Sequence, residues 1–168
     1  MADLTKEQHI ENINKVIKGV KYAMMTTITA DEKHLHACPM TTNKNELENG
    51  KIWFIGDRKS ETIKDLEKNP QVNLSYTSSD QKDFVSINGT AKLVNDKAKL
   101  DELWSPIYAA FYEKGKEDPN VQVICIECNG AQYWLSGNTV VDMFKMVSAA
   151  VQEGKTAENM GENHSVTF

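Results

Sequence analysis

The residues of this chain best suited to chemistry lie where a predicted strand gives way to a helix. The apolar segment 52–56 runs into a short charged loop, Asp57-Arg58-Lys59, and Ser60 then begins a helix. The start of a helix offers free backbone N–H groups and the positive end of the helix dipole, which favour an anion. Two cations and a hydroxyl beside it indicate a phosphate site. The alternative is a solvated turn that Ser60 caps.

Two other sets of residues are of types that bind metal ions, but their spacing does not form a metal site. His34 and His36 share one face of a predicted strand, but no third ligand accompanies them, which is typical of surface histidines. Cys125 and Cys128 stand three positions apart on a predicted strand, so their side chains point to opposite faces. We therefore predict no metal site. Catalytic residues stay unassigned, because the sequence has no Ser, His, Asp constellation and no glycine-rich phosphate motif.

Composition restricts the class of protein. The 168 residues suffice for one domain with its own core. Twenty-four acidic residues against 19 Lys and Arg leave a net charge of -5, which argues against nucleic acid as a partner. No apolar run approaches the roughly 20 residues of a membrane span, and no signal-peptide core is present. Together with the odd number of cysteines, this predicts a cytoplasmic protein that binds neither membrane nor nucleic acid.

Two helices are predicted in the first half of the chain. Thr5 and Gln8 form a capping-box pattern that begins a helix ending near Gly19. The helix that Ser60 begins is expected to stop at Asn69, which precedes a proline. The apolar stripe of the first helix predicts that it lies on a core; the stripe consists of Ile10, Ile13, Ile17 and Val20.

Two more helices are predicted in the second half. Asn95 is expected to cap a helix that Pro106 kinks. Its apolar face consists of Leu100, Leu103, Trp104, Ile107 and Phe111. A last helix carries the stripe Val140, Phe144, Val147 and Val151.

Six strands complete the prediction. They are expected at 22–29, 35–42, 52–56, 72–76, 84–94 and 121–128, the last extending to 135 past a bulge at Asn129 and Gly130. Pro39 requires an edge position or a bulge for the second strand. Because helices and strands do not alternate strictly, the pattern favours a small antiparallel barrel over a parallel doubly wound sheet.

Four sequence blocks carry a resemblance to a known family. They are Cys38-Pro39-Met40-Thr41, Gly50-Lys51-Ile52-Trp53-Phe54, Asn69-Pro70-Gln71-Val72-Asn73-Leu74-Ser75-Tyr76 and Val85-Ser86-Ile87-Asn88-Gly89-Thr90-Ala91. The chain resembles the general stress protein 26 group of the pyridoxamine 5'-phosphate oxidase-like split barrels. The likeness continues through Leu103-Trp104, Tyr133-Trp134 and the last predicted helix, so it covers nearly the whole chain.

This resemblance implies a mainly β fold with α additions, a six-stranded antiparallel split β-barrel with flanking helices. Chain length and composition predict one domain over residues 1–155, followed by a polar, loose tail over 156–168. The resemblance also implies a homodimer with FMN at the interface, the isoalloxazine against the Met40 strand and the phosphate before the Ser60 helix. The apolar strand 121–126 is a candidate for the dimer contact. The residues assigned to the flavin site are Cys38, Met40, Thr41, Phe54, Ile55, Arg58, Lys59, Ser60, Thr62 and Trp134.

Three departures from the family pattern bear on the phosphate. Cys38 stands where the family has Arg, Thr62 where it has Lys, and Gly56 where it has Thr. Two lost charge-assisted hydrogen bonds would cost about 3 to 6 kcal/mol of binding free energy. We therefore expect weak FMN binding, with Arg58 and Lys59 compensating in part.

The function implied by the resemblance is that of an FMN-binding general stress protein, with flavin-dependent oxidoreductase activity on an unidentified substrate. A true pyridoxamine 5'-phosphate oxidase is not expected, because the family's C-terminal cluster of Arg, His, Asp and Arg is absent from residues 161–168. Two alternatives stay open at this point. One is a non-enzymatic flavin carrier or sensor, and the other is a dimeric interaction module without a cofactor.

Overall fold

The computed structural model describes residues 4–41, 46–137 and 162–168. Its helices are α1 (Lys6–Ile17), α2 (Glu61–Lys68) and α3 (Lys97–Leu103), with short 3-10 turns at Pro106–Ala110 and Gly115–Glu117. Its strands are β1 (Tyr22–Ile28), β2 (Leu35–Thr41), β3 (Lys51–Asp57), β4 (Gln71–Thr77), β5 (Phe84–Val94), β6 (Val121–Leu135) and β7 (Glu162–Thr167). The last predicted helix, over residues 140–151, lies outside the described residues. None of the described helices is long and apolar enough to cross a membrane.

The strands form one antiparallel sheet in the order β2-β1-β4-β5-β6-β3, and β7 pairs with the second half of β6. The sheet curls until its two outer strands, β2 and β3, contact each other without pairing. A Cβ built on Gly56 of β3 would lie 3.7 Å from Cε of Met40 on β2. This confirms the predicted mainly β split barrel, whose split lies between β2 and β3.

Local sequence signals account for two features of the sheet. Pro39 has no N–H to donate and lies on β2, which pairs only with β1. On β6, Gly130 faces Asn88 and Cys128 faces Gly89, so Asn129 is the extra residue of a bulge. A Cβ on Gly89 would lie 2.7 Å from the Glu127 carbonyl oxygen, which explains glycine at this position. The edge strand and the bulge were both predicted.

The main core fills the inside of the barrel. The capping box of α1 is confirmed, with the Gln8 N–H donating to Thr5 Oγ1 and the Thr5 N–H to Gln8 Oε1. α1 buries Ile13, Val16 and Ile17 against this core. A second, smaller cluster lies under α3, and it consists of Ile55, Leu103, Tyr108, Tyr112, Val121 and Val123.

Because residues 121–126 are all buried within the protomer, the prediction that this strand offers a free dimer face is wrong.

The third helix differs from its prediction. Asp96 caps it, accepting a hydrogen bond from the Lys99 N–H at 2.9 Å, and the helix ends at Leu103. Pro106 begins a 3-10 turn instead of kinking a continuous helix, because the residue before a proline avoids helical geometry. As a result Ile107 and Phe111, predicted on the apolar face, are 51% and 72% exposed.

The chain end also differs from its prediction. Residues 162–167, expected in a loose polar tail, form β7 along residues 130–135 of β6. Val166 and Phe168 pack against the main core from this strand. A polar strand with so few apolar side chains shows no period-two pattern of hydrophobic residues, so the sequence does not indicate it. Its order comes from backbone pairing with β6.

Candidate functional site

A cavity of about 560 Å³ opens at the split between β2 and β3. The start of α2 closes one side, and the aromatic 3-10 segment after α3 closes another. Six of the ten residues assigned to the flavin site line this cavity: Cys38, Met40, Thr41, Ile55, Ser60 and Thr62. The fold therefore brings together residues up to 24 positions apart, because the split lies beside the α2 start.

The β2 strand presents alternate residues to this cavity. Along Leu35–Met40 of β2, partly buried and exposed residues alternate, so the partly buried His36, Cys38 and Met40 share one face of the strand. Three functional groups of different chemistry thus follow one line: an imidazole, a thiol and a thioether. The sequence pattern indicated that His36 is a surface residue; in the structure it is half-buried on the cavity wall.

Cys38 and Thr62, which stand where the family has cations, meet in the cavity. Cys38 Sγ lies 3.0 Å from Thr62 Oγ1. Among the described residues that line the cavity, none is Lys or Arg. The contact between Cys38 and Thr62 is therefore uncharged, and two carboxylates, Asp57 and Glu61, line the same cavity.

Ser60 begins α2 as its N-cap. Its Oγ accepts a hydrogen bond from the Ile63 N–H at 3.3 Å. The N–H groups of Glu61 and Thr62 belong to the first turn, where no helical carbonyl is in reach. The Glu61 side chain points to solvent and pairs with Lys64 at 2.6 Å, which raises the Lys64 pKa. The start of the helix therefore keeps backbone donors at the cavity edge.

Four of the assigned residues lie away from the cavity. Arg58 Nη2 donates to Asn95 Oδ1 at 3.4 Å on the protein surface. Lys59 is exposed on the same loop. Phe54 is fully buried in the main core, and Trp134 lies on the second half of β6, paired with neither β2 nor β3. Within one protomer, these side chains do not contribute to the same cavity wall.

Sequence reasoning missed an aromatic wall. Tyr108, Phe111 and Tyr112 line the cavity from the 3-10 segment, and Tyr22 lines it from β1. Burial, with the charge of Asp57 second, raises the pKa of Tyr112 to about 12, and burial raises that of Tyr108. Both phenols therefore stay protonated at neutral pH. The available signal was the aromatic spacing after Pro106, which the sequence analysis attributed to a kinked helix.

Asp65 connects the cavity wall to the barrel. Its buried carboxylate accepts hydrogen bonds from Thr27 Oγ1 at 2.8 Å, from the Ala30 N–H at 2.9 Å and from His36 Nδ1 at 3.1 Å. This single side chain of α2 therefore fixes β1, the turn after it and the imidazole on β2. Nothing in the residue pattern of α2 indicated this role.

The remaining metal-type residues do not form a site. Among the residues that the structure describes, no three His, Cys, Asp or Glu side chains are grouped closely enough to hold a metal ion. The described cysteines are free, and burial raises the pKa of Cys128 to about 12. Its thiol therefore stays protonated and packs as an apolar core group.

The fold is a split barrel with a cavity between its two outer strands. Residues 8–157 match the family described as pyridoxamine 5'-phosphate oxidase like, and the chain belongs to this family.

Several known proteins are similar to the chain. Protein bli-3 of Neurospora crassa is 26% identical over 164 residues, 93% of this chain and 78% of that protein. The general stress FMN/FAD binding protein of Xanthomonas citri is 30% identical, with a TM-score of 0.66 over 80% of this chain and 93% of its own. A Clostridium acetobutylicum protein related to general stress protein 26 of B. subtilis shares the fold at 16% identity, with a TM-score of 0.69 over 98% and 97% of the two chains.

Proposed function

We propose that this protein is an FMN-binding general stress protein that works as a homodimer, with the flavin in the cavity between β2 and β3. The observation that carries the proposal is the convergence of six assigned residues on that one cavity. The 30% identical relative from Xanthomonas citri, described as an FMN/FAD binding protein, supports a flavin as the ligand.

The cavity walls fit the two chemically different ends of FMN. Met40, Tyr108 and Tyr112 give a broad apolar and aromatic surface suited to a flat ring system. Ser60, Thr62 and the first N–H groups of α2 give hydroxyl and amide donors suited to a phosphate. The bound flavin would supply the redox chemistry, while these residues bind and orient it.

Direct binding tests the cofactor assignment. We expect both FMN and riboflavin to bind to protein freed of ligand, because the aromatic wall contacts the ring system that they share. Quenching of flavin fluorescence during an equilibrium titration measures both affinities. Failure of both flavins to bind to the folded protein would contradict the proposal and favour an interaction module without a cofactor.

An oxidoreductase is the form of this function that we propose, with a flavin carrier or sensor as the alternative. The two differ in turnover. We expect the flavin-loaded protein to oxidise NADH or NADPH continuously under air, followed by absorbance, with the protein lacking flavin as the control. Flavin binding without turnover would favour the carrier or sensor.

The proposed dimer rests on the apolar rim of the cavity. Tyr22 and Phe111 line the cavity and are 54% and 72% exposed, so a single protomer leaves a large aromatic surface to solvent. A second copy placed over the split would cover it. We predict that light scattering at micromolar concentration reports twice 18.9 kDa. A stable monomer at that concentration would exclude a shared flavin site.

The role of Arg58 and Lys59 as phosphate contacts stays a prediction, because both side chains lie outside the cavity wall. We expect Arg58→Ala with Lys59→Ala to weaken FMN binding several-fold and to leave riboflavin binding unchanged. The melting temperature should change little, since exposed charges contribute little to folding. Equal losses for both ligands would indicate a structural loop, and no loss would indicate a solvated turn.

A further inference from the structure

His36 is the basic side chain that the cavity wall offers. Among the described residues lining the cavity, it alone can carry a positive charge. It is two positions before Cys38 on the same face of β2, next to the neutral pair of Cys38 and Thr62. Cys38 and Thr62 carry no positive charge, but His36, two residues before Cys38 on β2, can carry one.

Asp65 fixes the orientation of this imidazole. Its carboxylate is 3% exposed and is held by Thr27 and the Ala30 N–H, so it cannot move away from His36. The carboxylate accepts from Nδ1–H, which leaves Nε2 as the second ring nitrogen. When the imidazole is neutral, Nε2 is a hydrogen-bond acceptor and repels an anion. Protonated, it is a charged donor.

Titratable groups from several elements lie around His36. Asp65 of α2 accepts from its Nδ1, and the exposed Glu61, Asp31 and His34 line a second pocket that His36 also borders. Glu61 is already paired with Lys64, and β1 contributes the neutral Thr27. Asp57 of β3 and the phenols of Tyr108 and Tyr112 line the same cavity as His36.

We propose that His36 is a further phosphate contact of this site, beside Ser60 and the first N–H groups of α2, and that it takes up one proton from solvent at Nε2 when FMN binds. Asp65 is the positioning residue. The inference rests on the proposed function, because it requires a flavin in this cavity. The step is a proton transfer: an N–H bond forms at Nε2, an O–H bond of a solvent hydronium ion breaks, and the imidazolium then donates to a phosphate oxygen.

The test compares FMN with riboflavin, which lacks the phosphate, in fluorescence titrations at about pH 6 and about pH 8.5. We expect FMN affinity to fall at least tenfold as the pH rises, and riboflavin affinity to stay constant. His36→Gln keeps a polar side chain that cannot be charged. It should lower FMN affinity about tenfold at pH 6 and remove most of the pH dependence.

Two controls isolate the imidazole. The FMN phosphate titrates near pH 6 itself, but it does so equally with wild type and with His36→Gln, so the difference between them belongs to His36. Asp65→Asn removes the positioning charge and should flatten the pH dependence of the ratio of FMN to riboflavin affinity. The variant Arg58→Ala with Lys59→Ala, which removes charge outside the cavity, should keep the wild-type pH profile.

The outcomes separate the two proposals. If neither flavin binds to the wild type, the proposed function fails, and this inference fails with it. If both bind but the preference for FMN depends neither on pH nor on His36, the inference is overturned while the proposed function stands. Equal loss of FMN and riboflavin in His36→Gln would also overturn it.

Discussion

Replacing Cys38 by Arg and Thr62 by Lys together is expected to tighten FMN binding at least tenfold, about 1.4 kcal/mol. Cys38 Sγ lies 3.0 Å from Thr62 Oγ1 on the cavity wall, so both new cations would reach the same anionic group. Equilibrium titration of FMN measures the gain. It should shrink as salt is added, because charge pairing near a surface is screened.

The matched control is Cys38→Gln with Thr62→Gln, which adds comparable bulk without charge and should give no gain. Riboflavin affinity should be the same in all three proteins. An unchanged FMN affinity in a folded Arg and Lys variant would mean that the phosphate lies elsewhere in the protein.

Asp65→Ala should cause a large loss of stability, about 2 to 4 kcal/mol in the free energy of unfolding. The change removes a carboxylate that accepts three hydrogen bonds. The buried Thr27 hydroxyl and the Ala30 N–H then lose this acceptor. Urea denaturation followed by circular dichroism measures the change. Glu61→Ala, an exposed carboxylate on the same helix, is the control and should shift stability by less than about 0.5 kcal/mol.

A loss of less than about 1 kcal/mol for Asp65→Ala would show that the carboxylate does not hold β1 and β2 to α2. It would also weaken the assignment of Asp65 as the residue that orients His36.

The strands and the first helix could be predicted because their signals are local. The capping box at Thr5, the proline on the edge strand and the Asn129 bulge each follow from residues adjacent in sequence. Local patterns do not indicate which distant residues lie together. The family resemblance predicted that Cys38 and Thr62 lie in one site. Their contact in the structure agrees with that placement.

The parts that could not be predicted depend on distant partners. β7 is ordered by pairing with β6, and its own residues are polar. The aromatic wall depends on where Pro106 ends α3, and the side-chain direction of Arg58 depends on Asn95, far along the chain. The role of His36 arises from Asp65 on another element, so its position two residues before Cys38 gave no indication of it.

A crystal structure of the protein with FMN tests the central claim most directly. We predict the isoalloxazine beside Met40 in the cleft between β2 and β3. The phosphate should lie about 3 Å from the Ser60 hydroxyl or from the first N–H groups of α2. FMN bound elsewhere, or an empty cleft at saturating FMN, would contradict the account.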